Sequence, residues 1–130
     1  YKDIGAAILV FDLNNKRSFD RLNFWIKELN NYGPTDYPIS KMLIGNKLDL
    51  NSRKVSREEA EQFAIQHGFL YEEVSVKQDI NVDESLLKLV QDTYKFKNEN
   101  KGFKSSDLNY LALKPKSNTI KDRENCCCIC

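Results

Sequence analysis

The strongest constraint on the fold is a repeated order of apolar, strand-length runs and amphipathic segments. Residues 5–13 are Gly-Ala-Ala-Ile-Leu-Val-Phe-Asp-Leu, an almost unbroken apolar run that is typical of a strand buried on both faces. Residues 42–44 and 69–76 provide two further strands. Because parallel strands need long crossover connections, helices are expected between them. The sequence therefore predicts an α/β fold in which three parallel strands alternate with three helices.

The three helices are predicted from apolar residues at helical spacing. The first begins at an N-cap, Ser18, and continues to about residue 31. The second begins with a capping box at Ser56 and ends at Gly68, and the third opens at Asn81. The residues expected to face the core are Phe19, Leu22, Trp25, Ile26 and Leu29 in the first helix, Ala60, Phe63 and Ala64 in the second, and Val82, Leu86, Leu89, Val90 and Tyr94 in the third.

A group of polar residues follows the middle strand directly. Asn46, Lys47 and Asp49 come just after residues 42–44, at the edge where open α/β sheets bind their ligands. A carboxylate only accepts hydrogen bonds, so Asp49 could accept both the ring N–H and the exocyclic amine of guanine. Adenine has no donor at that ring nitrogen. The same residue types are also common in polar turns, and four residues alone do not decide between a turn and a base site.

Residues 46–49, Asn-Lys-Leu-Asp, resemble the Asn-Lys-x-Asp motif with which small GTPases of the Ras superfamily bind guanine. This resemblance implies that Asp49 hydrogen-bonds the base. It also implies that Lys47 lays its methylene stem along the ring and that Asn46 ties neighbouring loops together. A P-loop GTPase fold, of which these residues supply a part, is the implied architecture.

The end of the third strand resembles the second base-binding loop of the same superfamily, usually Ser-Ala-Lys. Here the residues are Ser75, Val76 and Lys77. In the family the middle residue donates its backbone N–H to the guanine oxygen, and a valine keeps that donor. Its stiff, branched side chain is expected to crowd the loop. The resemblance implies that all three residues contribute to the guanine site.

The chain ends in Cys-Cys-Cys-Ile-Cys at residues 126–130, which hold all four of its cysteines. This ending resembles the Cys-x-Cys terminus of Rab proteins, a branch of the Ras superfamily, and implies that Cys128 and Cys130 carry geranylgeranyl groups. One lipid chain gives reversible membrane attachment, whereas two give stable attachment. A cysteine-rich tract can also bind zinc or copper, although this one has no accompanying histidine or second cysteine pair.

Composition divides the chain near residue 94. Residues 1–94 carry 12 basic and 15 acidic side chains, whereas residues 95–130 carry 8 basic and 4 acidic ones. Residues 95–125 are mostly polar and predict a flexible, hypervariable tail, followed by a prenylation motif at residues 126–130. The weak positive charge of the tail favours an anionic surface over nucleic acid as a neighbour. A body without cysteine fits the reducing cytosol.

The resemblance to Rab proteins implies a membrane-anchored GTP-binding switch in vesicle-mediated intracellular protein transport. The expected ligands are GTP and GDP, bound here through the guanine end alone. The implied location is the cytoplasmic face of an intracellular membrane or the plasma membrane. The implied partners are a Rab escort protein with its prenyl transferase, a GDP-dissociation inhibitor and effectors.

The phosphate-binding part of the family pattern is missing. No Gly-x-x-x-x-Gly-Lys-Ser/Thr sequence occurs in the 130 residues, and residues 1–94 resemble only the carboxyl-terminal half of a small GTPase domain. We therefore expect an incomplete chain that binds nucleotide weakly, hydrolyses nothing and contains no catalytic residue, with Mg²⁺ bound only in a complete protein. The alternatives are a truncated, non-catalytic Rab-like binding module and an unrelated open α/β domain with coincidental motifs.

Overall fold

The computed structural model of the protein describes residues 4–34 and 39–99. The elements in chain order are β1 (Ala6–Asp12), α1 (Lys16–Asp20), α2 (Leu22–Tyr32), β2 (Ser40–Asn46), α3 (Arg57–His67), β3 (Leu70–Glu73) and α4 (Val82–Glu99). The strands form one sheet in the order β1-β2-β3, and both pairings are parallel. The predicted α/β fold of three parallel strands connected by helices is confirmed.

The strand register brings the three carboxyl ends to one edge of the sheet. Asp12 at the end of β1 lies opposite Asn46 at the end of β2, and Gly45 lies opposite Glu73 at the end of β3. Because the three strands are parallel, their carboxyl ends lie at the same edge of the sheet, and the loops that follow them are neighbours there. This edge is therefore the place where polar residues from distant parts of the sequence can meet.

Apolar side chains cover both faces of the sheet, as expected for strands connected by helical crossovers. The larger core includes Leu9, Phe11, Leu13, Phe19, Leu22, Ile26, Leu29, Leu43, Ala60 and Ala64. A smaller cluster on the other side contains Met42, Ile44, Val74 and Leu89. Trp25 is half-buried against the larger core, which confirms its assignment to packing.

The start of the first predicted helix is wrong by three residues. Asn15, not Ser18, is the N-cap of α1, and its side chain accepts a hydrogen bond from the backbone N–H of Arg17 at 3.1 Å. The hydroxyl of Ser18 instead accepts from the N–H of Asp12 at 3.0 Å and so fixes the turn after β1. The helix is also divided, since α1 ends at Asp20 and α2 begins at Leu22.

The predicted ends of α3 are confirmed. The hydroxyl of Ser56 accepts from the N–H of Glu59 at 3.1 Å, and Gly68 ends the helix with a left-handed φ of 70°. A residue without a Cβ adopts that backbone conformation without strain. The second half of the predicted capping box is absent among the described contacts, because the carboxylate of Glu59 pairs with Lys16 instead.

The core-facing side of α4 differs from the prediction. Ser85 is fully buried and Leu89 is nearly so, whereas Leu86 and Tyr94 are 42% and 39% exposed. Ser85 tolerates this position because its hydroxyl donates to the carbonyl of Asn81 at 2.6 Å. The periodicity of apolar residues predicted the helix correctly. It did not predict which side faces the core, because one of the buried residues is the polar Ser85.

Two predicted boundaries also move. β3 ends at Glu73 rather than at residue 76, because the chain turns there and Ser75 pairs in antiparallel fashion with Ile80. α4 continues to Glu99, beyond the predicted boundary at residue 94. The rest of the predicted tail and the prenylation motif lie outside the described residues. Within those residues, no helix combines the length and apolar character needed to cross a membrane.

Candidate functional site

The loops that follow β2 and β3 are joined by a direct hydrogen bond. The hydroxyl of Ser75, which is fully buried, donates to Oδ1 of Asp49 at 2.5 Å and accepts from the N–H of Gln78 at 3.2 Å. The N–H of Leu48 adds a backbone link to the carbonyl of Val74 at 3.1 Å. The predicted site residues of the two loops therefore lie in one place, although 26 positions separate Asp49 from Ser75.

Asn46 provides a second link between the same loops. Its Oδ1 accepts from the N–H of Lys47 at 2.7 Å and from the N–H of Val76 at 3.2 Å. The bridging role expected of Asn46 is thus present. The N–H of Val76, which the family resemblance directs at a guanine oxygen, donates to Asn46 in this structure.

The side chain of Val76 does not crowd the loop as expected. It is 62% exposed, because it follows the buried Ser75 into the turn that leads to Ile80. Lys77 is exposed in the same turn. The sequence therefore did not predict how the branched residue of this loop would be accommodated.

Lys47 adopts a conformation that is unusual for a side-chain-bearing residue. Its φ is 65°, in the left-handed region, and its carbonyl accepts from Nδ2 of Asn14 at 3.0 Å. Its Nζ lies 2.9 Å from Oδ2 of Asp12. The sequence analysis did not identify Asp12 and Asn14 as partners of Lys47. Their position could have indicated it, because Asp12 is the last residue of β1 and Asn14 lies two residues later, at the same edge of the sheet as Lys47.

The surroundings of Asp12 stabilise the ionised form of its carboxyl group. Burial pushes the pKa of Asp12 upwards, but the hydrogen bonds and charge of Lys47 and the N–H of Asn14 outweigh burial and hold the pKa below its ordinary value. The carboxylate is therefore negative at neutral pH and forms a true ion pair with the Lys47 ammonium.

An ion pair between Arg53, which is partly exposed, and Glu73, which is buried, ties the segment after Asp49 to β3. The guanidinium of Arg53 contacts both carboxylate oxygens of Glu73, with Nη1 at 3.2 Å from Oε2 and Nη2 close to Oε1, and its Nε donates to the carbonyl of Val55 at 2.7 Å. The hydroxyl of Tyr71 donates to Glu73 Oε1 at 2.7 Å. This network fixes the strand that leads into Ser75.

The charge states in this network follow from the contacts. Burial raises the pKa of Glu73, but the hydrogen bonds from Arg53 and Tyr71 more than offset it, so the pKa lies below its ordinary value. Burial and the Glu73 hydrogen bond raise the pKa of Tyr71, which keeps its hydroxyl protonated as a donor. Glu73 is therefore a charged, fully engaged structural carboxylate.

The site offers unused hydrogen-bonding groups of complementary type. Among the described residues, neither Oδ2 of Asp49 nor Nδ2 of Asn46 has a protein partner. They provide an acceptor and a donor on the two residues that flank Lys47 and Leu48 in the sequence, a combination suited to a planar heterocycle with polar edges. No three His, Cys, Asp or Glu side chains in the described part of the chain could together hold a metal ion, so no Mg²⁺ site is assigned.

An open depression of about 550 Å³ lies elsewhere, between α1 and α3. It is lined by Phe19, Glu59, Gln62, Phe63, Ile65 and Gln66. None of the predicted site residues belongs to it. The polar chemistry is thus at the carboxyl edge of the sheet and not in this depression.

Comparison with known proteins places the sequence in a family. The model of the Ras family matches residues 1–95. The Ras-related protein Rab-8B of Bos taurus is 36% identical over 93 residues, which cover 71% of this chain and 44% of that protein. Rab-8 of Diplobatis ommata and Rab-8A of Rattus norvegicus show the same identity, over 43% and 44% of their lengths.

The family match covers well over half of the chain and includes every predicted base-site residue. The chain therefore belongs to the Ras family, as a Rab-like small GTPase sequence. It spans about 44% of the length of the Rab-8 proteins that it matches.

Replacing Glu73 with glutamine should destabilise the fold at neutral pH by about 1–3 kcal/mol, since the buried Glu73 side chain loses its charge-assisted hydrogen bonds to Arg53 and Tyr71. A carboxylate whose folded pKa is depressed stabilises the fold above its ordinary pKa of about 4.3, and this contribution is lost as the pH falls through the folded pKa. The unfolding free energy of the wild type should therefore fall more steeply below about pH 5 than that of Glu73→Gln.

Urea unfolding measured between neutral and acidic pH checks this prediction. Glu61→Gln is the matched control, because Glu61 pairs with Arg57 at 2.7 Å on the exposed face of α3. It should change the unfolding free energy by no more than about 0.5 kcal/mol. If the unfolding free energies of the wild type and Glu73→Gln changed with pH in parallel, the lowered pKa of Glu73 in the folded state would be contradicted.

Proposed function

We propose that the loops after β2 and β3 bind the guanine end of GTP or GDP. The observation that carries this proposal is the Ser75–Asp49 hydrogen bond of 2.5 Å, which holds the carboxylate at the junction of the two loops. A carboxylate oxygen can accept more than one hydrogen bond, so Oδ1 remains able to accept from a base together with Oδ2. Asp49 then accepts the ring N–H and the exocyclic amine of guanine as a pair.

This arrangement discriminates against adenine. Adenine presents a bare ring nitrogen where guanine has an N–H, so one carboxylate lone pair would face another lone pair. An unpaired polar group of this kind costs about 1–3 kcal/mol. A site built around hydrogen bonds rejects a ligand that cannot make them more strongly than an apolar pocket could.

The other residues complete the base site from three sides. Lys47 presents its methylene stem to one face of the ring, and Nδ2 of Asn46 provides a donor for the base or its sugar. The N–H of Val76, which donates to Oδ1 of Asn46 at 3.2 Å, would donate to the guanine oxygen instead or be shared between the two oxygens. Lys77 adds a positive charge at the exposed end of the loop.

The proposal does not include binding of the nucleotide's phosphates. The bond that is hydrolysed in GTP lies between phosphates, and the 130 residues contain no Gly-x-x-x-x-Gly-Lys-Ser/Thr sequence to bind them. We therefore assign base recognition to these residues and no hydrolytic step. Their affinity for nucleotide in isolation is expected to be weak.

We further propose a membrane-anchored role in vesicle-mediated protein transport. It is supported by the similarity to Rab-8 proteins and by the Cys-x-Cys ending at Cys128 and Cys130. Two geranylgeranyl groups would hold the protein on the cytoplasmic face of an intracellular membrane or the plasma membrane. The partners are then an escort protein with its prenyl transferase, a GDP-dissociation inhibitor and effectors.

Replacing Asp49 with asparagine should change the preferred base from guanine to xanthine. The carboxamide keeps one acceptor for the ring N–H but gains a donor, which matches the oxygen of xanthine and repels the amine of guanine. GMP affinity should fall about tenfold or more, and XMP should become the better ligand. Ligand-detected NMR titration with GMP, XMP and AMP measures this.

Asp20→Asn is the control for this switch, because it makes the same chemical change on an exposed side chain of α1. It should retain the preference of the wild type for GMP. Equal responses of the wild type to GMP and AMP would contradict guanine recognition, as would an unchanged preference in Asp49→Asn.

The lipid proposal predicts two isoprenoid groups on the protein isolated from prenylating eukaryotic cells. Mass spectrometry should locate them on Cys128 and Cys130, and replacing both residues with serine should move the protein from the membrane fraction to the soluble fraction. Replacing Cys126 and Cys127 instead is the matched control and should leave the protein on membranes. An unmodified terminus, or lipid on Cys126 and Cys127 alone, would refute the assignment.

A further inference from the structure

Asp12 stands at the end of β1 with both carboxylate oxygens engaged. Oδ1 accepts from the N–H of Asn14 at 2.8 Å and from Nδ2 of the same residue at 3.4 Å. Oδ2 lies 2.9 Å from Nζ of Lys47. The side chain of Asp12 is 21% exposed and that of Lys47 is 55% exposed, so the acid is the more firmly held partner.

The backbone of Lys47 is fixed independently of its ammonium group. Its N–H donates to Oδ1 of Asn46 at 2.7 Å, and its carbonyl accepts from Nδ2 of Asn14 at 3.0 Å. The amide of Asn14 is itself oriented by the hydroxyl of Ser52, which donates to its Oδ1 at 3.0 Å. The methylene stem of Lys47 therefore runs between two anchored ends.

We propose that Asp12 is a positioning residue for guanine binding, which holds the Lys47 ammonium so that the lysine stem is already placed beside Asp49 before the base arrives. This inference rests on the proposed guanine site. Asp12 acts through Lys47 and touches no ligand itself.

The physical advantage is preorganisation. An unrestrained lysine side chain has many rotamers, and fixing them when a ligand binds weakens the affinity. A stem that is held at both ends has less freedom to lose. The charge needed at Asp12 is present at neutral pH, as for any aspartate of ordinary pKa, and the contacts with Lys47 and Asn14 hold the pKa of this carboxyl lower still.

The test compares GMP binding by the wild type and Asp12→Asn in the 130-residue chain. Asparagine keeps an acceptor for the N–H of Asn14 and nearly the same volume, but it removes the charge that holds Lys47. GMP affinity should fall about three- to fivefold, the upper part of the range expected for loss of a partly exposed ion pair. Asp20→Asn removes a charge from the neighbouring helix and should leave the affinity within about twofold.

A double-mutant cycle separates positioning from a general loss of structure. Lys47→Met keeps a stem of similar length without the ammonium, so adding Asp12→Asn to it should change GMP affinity by less than about twofold. A similar loss in both backgrounds would show that Asp12 supports the fold instead, and would overturn the proposal. Asp12→Glu, which restores the charge, should recover part of the affinity.

The two levels of the hypothesis fail in different ways. If the wild type does not prefer GMP to AMP, the proposed function itself is wrong and the positioning role falls with it. If the wild type prefers GMP and Asp12→Asn binds it equally well, only the role of Asp12 is refuted. If Asp12→Asn does not fold, the contact between Asp12 and Lys47 can be tested in the wild type by NMR. We expect nuclear Overhauser contacts between the Lys47 ε protons and the Asp12 β protons. Their absence would overturn the proposal.

Discussion

The hydrogen bond from Ser75 to Asp49 is the contact on which the site depends. It joins the loop after the central strand to the loop after the edge strand β3, and it orients the carboxylate that would read the base. A buried hydroxyl of this kind must find a partner, because an unsatisfied polar group in the interior is costly. Folding of the sheet therefore brings the two loops together, and the Asp49 carboxylate is the partner of the Ser75 hydroxyl.

A second layer of polar contacts surrounds this hydrogen bond. Arg53 and Glu73 tie the segment after Asp49 to β3, while Asp12 and Asn14 hold the backbone and side chain of Lys47. These contacts come from all three strand ends, so the proposed base site depends on the whole edge of the sheet and not on one motif. Supporting residues of this type set how precisely ligand-contacting groups are placed.

Much of this arrangement could be predicted from sequence because the apolar runs were long and the polar residues followed them directly. The alternation of strands and helices and the parallel pairing follow from that pattern, and the resemblance to small GTPases led us to expect Asp49 and Ser75 at one site. What the pattern could not show were contacts that depend on side-chain geometry. Asn15 and Ser18 are both plausible N-caps, and only the turn after Asp12 selects between them. Ser85 occupies an inner position of α4 that hydrophobicity alone would give to Leu86.

The central claim is that the two loops form a single surface for one guanine ring. An NMR titration of the isotope-labelled wild-type chain with GMP tests it most directly, because every backbone amide reports its own environment. The shifts should be confined to the amides of residues 46–49 and 75–78 and to the adjoining end of β1, with one common binding curve, and AMP should produce far smaller changes. Shifts in only one of the two loops, or equal shifts with both nucleotides, would contradict the account.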